Sequence, residues 1–368
     1  MFDQIPELRT EVHGCVNLMG EPSVAASGYT LPATIVQTTV VEARVRNDRS
    51  VRVASGNVYG SMVEFGLGRE GRRFDWANYV QGVTWAMQIE MKNLGIPTSQ
   101  APGLDILVNS SVPMGYGLCS SAALVVAVMR ICRDAWGLSG LISDHRVAEI
   151  AQFVEREFLG KWAGAMAQTA TALGRRGQAI FVDPKDNSSE AIDIDPSRFE
   201  LLVLATGISR NFRGQDSSGY EQRRDDCEKV CEALGVSNML ALEDREKIET
   251  LPEPLISRAR HILGENDRAK EAALCLKKGD ALRLGELFDL SHASMRDNFR
   301  VLTPDVERLL AITREHPDAL GVRLTGGGTG TTIVALVNPG YGEEVGKYVV
   351  KRFRDECNRR ASILVPEV

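Results

Sequence analysis

Val112-Pro-Met-Gly-Tyr-Gly-Leu-Cys-Ser-Ser-Ala-Ala123 is the stretch on which the fold turns. It follows Leu104-Asp-Ile-Leu-Val108, a largely apolar run that reads as a strand, and opens into Ala122–Cys132, which reads as a helix. Strand, glycine-rich turn and helix start make a place for phosphate. Gly115 and Gly117 let backbone approach an anion closely. The free N–H groups of the first helical turn point at it, and the helix dipole adds favourable field. Ser120 and Ser121 add hydroxyls. A serine-capped turn between strand and helix has the same composition, so the rest of the chain decides.

The chain has 368 residues, 25% of them charged and 43% hydrophobic, as in an ordinary soluble globular protein. Its net charge of −6 argues against nucleic acid or an anionic membrane as partner. The 7 cysteines include no C-x-x-C pair, so reduced thiols and a cytoplasmic setting are expected. Met1–Thr10 is too polar for a signal peptide, and no apolar run has the length of a membrane span.

Outward from the turn, Val12–Leu18, Leu31–Val45 and Ser50–Ala54 read as strands, and Phe74–Leu94 as a helix. His145–Leu159 is expected to be one helix, and Ala179–Asp183 and Glu200–Ala205 strands. Further helices are expected at Ser217–Leu234, Pro252–Leu276, Asp280–Asn298, Pro304–Glu315 and Gly340–Arg359. Gly321–Leu324 and Thr332–Val337 read as strands flanking a second glycine cluster, Gly326–Gly330. A strand-rich first half gives way to a helix-rich second half near residues 200–215. The class is a two-layered α+β fold.

The motifs and their order resemble the superfamily of galactose, homoserine, mevalonate and phosphomevalonate (GHMP) kinases, and within it the galactokinases. Gly14-x-Val-Asn-Leu-x-Gly-Glu21 followed by Leu31-Pro32 is similar to that family's first motif. Trp76-Ala-Asn-Tyr-Val-x-Gly-Val83 resembles its adenine-pocket helix, and Ser110–Ala122 its phosphate motif. Glu155-x-x-Phe158-x-Gly160 and Gly164-x-Met-x-Gln168 resemble the segment around the active-site base. Tyr220-x-x-Arg-Arg-x-x-Cys-Glu228 resembles a helix that contacts sugar. Arg258-Ala-Arg-His261, Ser291-His292 and Arg296-Asp297 match later helices, and Leu324–Gly330 the third superfamily motif.

The resemblance implies two domains. Residues 1–205 would resemble domain 2 of ribosomal protein S5, with a left-handed βαβ phosphate unit, and residues 206–368 would be ferredoxin-like. It implies ATP and Mg²⁺ as cofactors, a sugar-like small molecule as partner, and a monomer or homodimer. Trp76 and Tyr79 would flank adenine. Gly115, Gly117, Leu118, Ser120, Ser121 and Ala122 would cradle the phosphates. Ser120, Ser121 and Glu155 would hold Mg²⁺, a hard cation suited to oxygen ligands. Glu21, Gly164, Tyr220, Gly327 and Gly328 would face the sugar.

Departures from the pattern fall on the chemistry. Cys15 stands where galactokinases have Arg, and His13 where they have Pro. Ala167 replaces the catalytic Asp, and Val24 the Asp that grips the sugar. Cys119 replaces the first serine of the phosphate motif. A carboxylate base contributes typically ~10²–10⁴-fold, so its loss weakens phosphoryl transfer without forbidding it. His13 and Lys161 are the candidate replacement groups. Against them stand a capped loop histidine and a solvated surface lysine. The sequence thus supports three readings. One is a kinase of galactokinase type whose acceptor is not plain galactose. Another is an inactive nucleotide- and ligand-binding regulator. The third is another ATP-driven reaction on the same scaffold.

Overall fold

A computed structural model of the chain describes residues 5–21, 28–58, 62–73, 75–160, 164–186, 188–207, 217–326 and 331–366. Its residues divide into two compact units that interleave along the sequence. Unit 1 comprises Met1–Gly14, Gln37–Val112 and Cys119–Gly174, and unit 2 Cys15–Val36, Pro113–Leu118 and Arg175–Val368.

Strands β1 (Leu8–Asn17), β2 (Pro32–Val45), β3 (Ser50–Ser55), β4 (Val63–Gly66) and β5 (Leu104–Ser110) supply the sheet of unit 1. Its order is β4-β3-β5-β2, and β1 also pairs with β2. β3 runs parallel to β5, with Val51 opposite Leu104 and Ser55 opposite Val108. Parallel neighbours need a long crossover, and α1 (Ala77–Asn93) lies in it. α1 buries Val80, Val83, Met87 and Met91, spaced by three or four residues, which is one helical face. α2 (Ser120–Ala135) buries Ala122, Val125, Val126, Met129 and Cys132 in the same way. Apart from Ala122, these side chains share one core with Val41, Val51, Val53, Leu104 and Ile106. Each fully buried Val or Met adds roughly 1.5–3 kcal/mol.

The expected helix 145–159 has two parts. α3 (Asp144–Phe153) starts on a Ser143 side-chain cap and gives way to a π-helical turn, Val154–Phe158. Gly82 of α1 faces that turn. A Cβ there would come within 2.8 Å of Val154 and 2.9 Å of Phe158, so only glycine permits the approach. α4 (Met166–Leu173) completes the unit's helices.

Unit 2 holds β6 (Gln178–Val182) antiparallel to β7 (Ser189–Asp193), with Ala33 of β2 opposite Ala179. A second, antiparallel sheet has the order β11-β8-β10-β9. Its strands are β8 (Glu200–Ala205), β9 (Ala319–Thr325), β10 (Thr332–Val337) and β11 (Ser362–Val365). Every residue of the central β10 is buried, as its unbroken apolar run demands. The helices are α5 (Ser217–Leu234), α6 (Leu255–Lys278), α7 (Ala281–Ser294), α8 (Pro304–Arg314) and α9 (Gly342–Cys357). α8 begins where Thr303 caps the Val306 N–H and Pro304 takes the first helical position. The expected helix 280–298 again ends in a π-helical turn, Met295–Phe299. Leu202, Leu204, Leu324, Ile333 and Phe353 anchor the core of this unit. No described helix is long and apolar enough to cross a membrane.

Candidate functional site

In unit 1 the start of α2 carries the first set of groups. Its N-cap, Cys119, adopts the left-handed conformation at φ 61°, and no side chain caps the helix. The orphan N–H groups of the first turn are therefore not spent on a cap. The Ser121 hydroxyl donates to Glu155 Oε1 at 3.2 Å. Glu155 is 7% exposed and sits in the π-helical turn held against Gly82. Such turns often occur at functional positions. A hydroxyl beside a carboxylate is a hard oxygen donor set, and it fits Mg²⁺. No cluster of three His, Cys, Asp or Glu suited to a metal exists among the described residues.

Trp76 precedes α1 and Tyr79 lies in its first turn, both half-buried against the core of unit 1. The Trp76 indole N–H is buried without an acceptor. An orphaned donor of this kind is uncommon in a purely structural tryptophan. Ala167 is the second residue of α4 and half-buried, and its carbonyl accepts the Thr171 hydroxyl at 2.8 Å. Gly164 lies just before α4, also half-buried. His13 is half-buried in β1.

In unit 2, Gly115 and Gly117 take φ values of 86° and 75°, which favour glycine. Gly117 lies against Gly326, itself at φ 91°. A Cβ on Gly117 would come 2.3 Å from the Gly326 Cα. The two glycine motifs read separately from the sequence thus meet backbone to backbone. Leu118 is buried and its carbonyl accepts the Cys15 N–H at 3.2 Å. Cys15 is 0% exposed, so its thiol is not presented as a nucleophile.

Glu21, expected to face a sugar, is 4% exposed, and its Oε2 accepts from Arg323 Nη2 at 3.1 Å. This pair belongs to a larger buried network that the sequence reading did not single out. Arg323 projects from β9 at 0% exposure. Its Nη1 also donates to the carbonyls of Asn17 and Leu18, at 3.2 and 3.0 Å, and its Nε to Ser291 Oγ at 3.1 Å. Ser291 in turn donates to Glu265 Oε1 at 2.8 Å, and Arg268 Nε to Glu265 Oε2 at 2.8 Å. Two carboxylates thus face two guanidiniums. Burial pushes the Glu265 carboxyl upward, but Arg268 and Arg323 outweigh it and leave it at about 2. His261, fully buried, is pushed down to about 4 by desolvation and is neutral at physiological pH. A sequence signal existed: His261, Glu265 and Arg268 recur at helical spacing on α6.

Tyr220 lies on α5, its side chain outside the described residues, as are Val24, Lys161, Gly327 and Gly328.

The family models place these observations. Residues 78–175 match the GHMP kinases N terminal domain, and residues 272–355 the GHMP kinases C terminal domain. The fold is similar to that of Lactococcus lactis galactokinase, solved with galactose. The TM-score is 0.86 and the identity 26%, covering 97% of this chain and 93% of that one. It is similar also to Streptococcus pneumoniae phosphomevalonate kinase with phosphomevalonate and AMPPNP, at TM-score 0.67 and 12% identity, covering 97% and 99%. A D-glycero-D-manno-heptose 1-phosphate kinase from Bacteroides thetaiotaomicron follows at 0.61 and 15%, covering 96% and 94%. With both family domains in order and this fold along nearly its whole length, the chain belongs to the GHMP kinases and has their two-domain fold.

Proposed function

We propose that the protein is an ATP-dependent kinase that phosphorylates a hydroxyl of a sugar or modified sugar other than plain galactose. One observation carries this reading: the Ser121–Glu155 pair at the uncapped start of α2 is retained. That pair is the hard oxygen donor set that a Mg²⁺-bound triphosphate requires. Ser120, Ser121 and Glu155 are the proposed Mg²⁺ ligands, and the ion would neutralise charge on the phosphates. Trp76 and Tyr79 are proposed to flank adenine. Gly115, Gly117, Leu118 and Ala122 are proposed to give backbone contacts to phosphate. In the reaction the acceptor oxygen bonds to the γ-phosphorus and the bond to the β-phosphate oxygen breaks. ADP, the phosphorylated acceptor and one proton result.

Positioning and charge stabilisation carry most of such a reaction, so the loss of the family's Asp at Ala167 lowers the rate without abolishing it. On the acceptor side Glu21, Gly164, Tyr220, Gly327 and Gly328 are proposed contacts. With Val24 replacing the family's sugar-gripping Asp, that side is the altered one. ADP release with Mg-ATP over a panel of neutral, amino and acidic sugars tests the reading. One panel member should raise it well above the ATP-only rate. Tight ATP binding with no acceptor-dependent release would instead favour a nucleotide-binding regulator, the reading that Cys15 and Ala167 support.

A further inference from the structure

The polar face of α6 grips both flanks of the segment that carries the rewritten acceptor motif. Leu18 N–H donates to the Leu31 carbonyl, and Leu31 N–H to that of Met19, each at 3.0 Å, which ties the two flanks together. Gly20, at φ 93°, lies where a Cβ would come 2.0 Å from the Tyr29 carbonyl oxygen. On the outgoing flank, Glu265 Oε1 accepts the N–H groups of Gly20 at 3.1 Å and Glu21 at 3.3 Å. His261 Nε2 meets the Glu21 carbonyl at 2.8 Å. A carbonyl only accepts, so Nε2 carries the proton, and Nδ1 accepts from the Ser294 hydroxyl at 2.9 Å. Ser294 accepts in turn from Asn298 Nδ2 at 3.2 Å. On the returning flank, Asn266 Oδ1 accepts the Tyr29 N–H at 3.0 Å. Lys270 Nζ sits 4.4 Å from the centre of the Tyr29 ring, and the Phe181 ring stacks on it at 5.4 Å.

From this we infer that α6 is the positioning element of the acceptor segment. Glu265, His261 and Asn266 fix the peptide planes at residues 20, 21 and 29, and so hold Glu21, the acceptor contact proposed above. Acceptor specificity then depends on a helix that need not touch the acceptor. The functional half of the inference rests on the kinase reading proposed above. The arrangement is built rather than incidental. Four peptide groups that a surface loop would give to water are satisfied instead by side chains at least nine-tenths buried.

Asn266 offers the cleanest test. Its Nδ2 is buried without a partner, so Oδ1 is the atom at stake. Asn266→Ala removes that acceptor, whereas Asn266→Asp keeps one. Hydrogen exchange followed by mass spectrometry on the peptide spanning residues 18–31 should accelerate about tenfold in Asn266→Ala, the scale of one lost hydrogen bond. Asn266→Asp should restore protection, and peptides from α2 should not change. With an active acceptor, Asn266→Ala should raise the acceptor KM about tenfold and leave the ATP KM within about twofold. Unchanged exchange in Asn266→Ala, or equal rises in both KM values, would overturn the inference. Exchange is read without turnover. Should no acceptor support ADP release, the kinase reading fails while the exchange result still decides the positioning role.

Discussion

Gly117 and Gly326 touch through their backbones, leaving no room for a Cβ on Gly117: it would stand 2.3 Å from the Gly326 Cα and 3.0 Å from its carbonyl carbon. Gly326, the first glycine of the third motif, therefore backs the turn of the second. Their value lies in permitting contact between two main chains as well as in freedom of φ.

Gly117→Ala should consequently cost more than backbone strain alone. Gly137 is a matched control, with φ 69° and no atom within 4 Å of an added Cβ. Strain at a left-handed position costs about 1–3 kcal/mol. Gly137→Ala should show that amount in urea denaturation, with unchanged ATP affinity. Gly117→Ala should exceed it and lose ATP affinity by about tenfold or more, since the turn must move. Equal costs in the two variants would mean that the close approach does not constrain the turn.

Arg323 is a buried charge that two carboxylates share, Glu21 at 3.1 Å and Glu265 at 3.5 Å. Removing one partner of a buried pair leaves the others uncompensated, at a cost of about 3–5 kcal/mol. Arg323→Met should lose about that much stability in urea unfolding. Arg323→Lys should also lose stability, because one ammonium cannot reach Ser291, two carbonyls and a carboxylate with the guanidinium's fork. Wild-type stability in Arg323→Lys would show that charge alone matters at this position.

Much of this fold is legible in the chain itself. The long strands and amphipathic helices follow from period-two and period-3.6 patterning, and β2, α2 and β10 lie where that patterning puts them. The strands β4, β7 and β11 escaped because they are short edge strands of 4, 5 and 4 residues, with little pattern to detect. The π-helical turns at Val154 and Met295 escaped because one extra residue per turn leaves the apolar spacing almost unchanged. Ser121 and Glu155 could be picked out as a pair only through the family resemblance, since 34 residues separate them. Arg323 escaped altogether. Nothing in Gly-Val-Arg-Leu-Thr announces that its arginine is fully buried; that depends on Glu21 and Glu265, remote in sequence.

Two histidines should make stability depend on mildly acidic pH. Desolvation lowers His261 from 6.5 to about 4 and His292 from 6.5 to about 3. Both stay neutral in the folded protein at pH values where the unfolded chain protonates them. The unfolded state thus binds more protons below about 6.5, and stability falls as pH falls. Each histidine contributes a slope of about 1.4 kcal/mol per pH unit once the unfolded side chain is mostly charged. Glu265, held at about 2 against an ordinary 4.5, acts in the same direction only below about 4.5. The melting temperature should therefore drop between pH 6.5 and 4.5. The His292→Leu variant should show a shallower drop, because it removes one of the two histidines that only the unfolded chain protonates there. An equal slope in wild type and variant would remove His292 from the account.

The two positions where the resemblance puts the family's Asp and Arg should respond differently to reversion. Ala167 is half-buried in the first turn of α4, which carries no acidic residue. An aspartate there meets the positive end of the helix dipole, worth about 0.3–1 kcal/mol, so Ala167→Asp should melt at or slightly above wild type. Cys15 is 0% exposed, and Cys15→Arg alone would bury an unpaired guanidinium and should be strongly destabilised. If Ala167 occupies the place of the family's base, Ala167→Asp should raise galactose-dependent ADP release by about 10²-fold or more over wild type. A folded Ala167→Asp variant with no gain on galactose or on any acceptor of the panel would mean that this position does not face the transferred phosphoryl group.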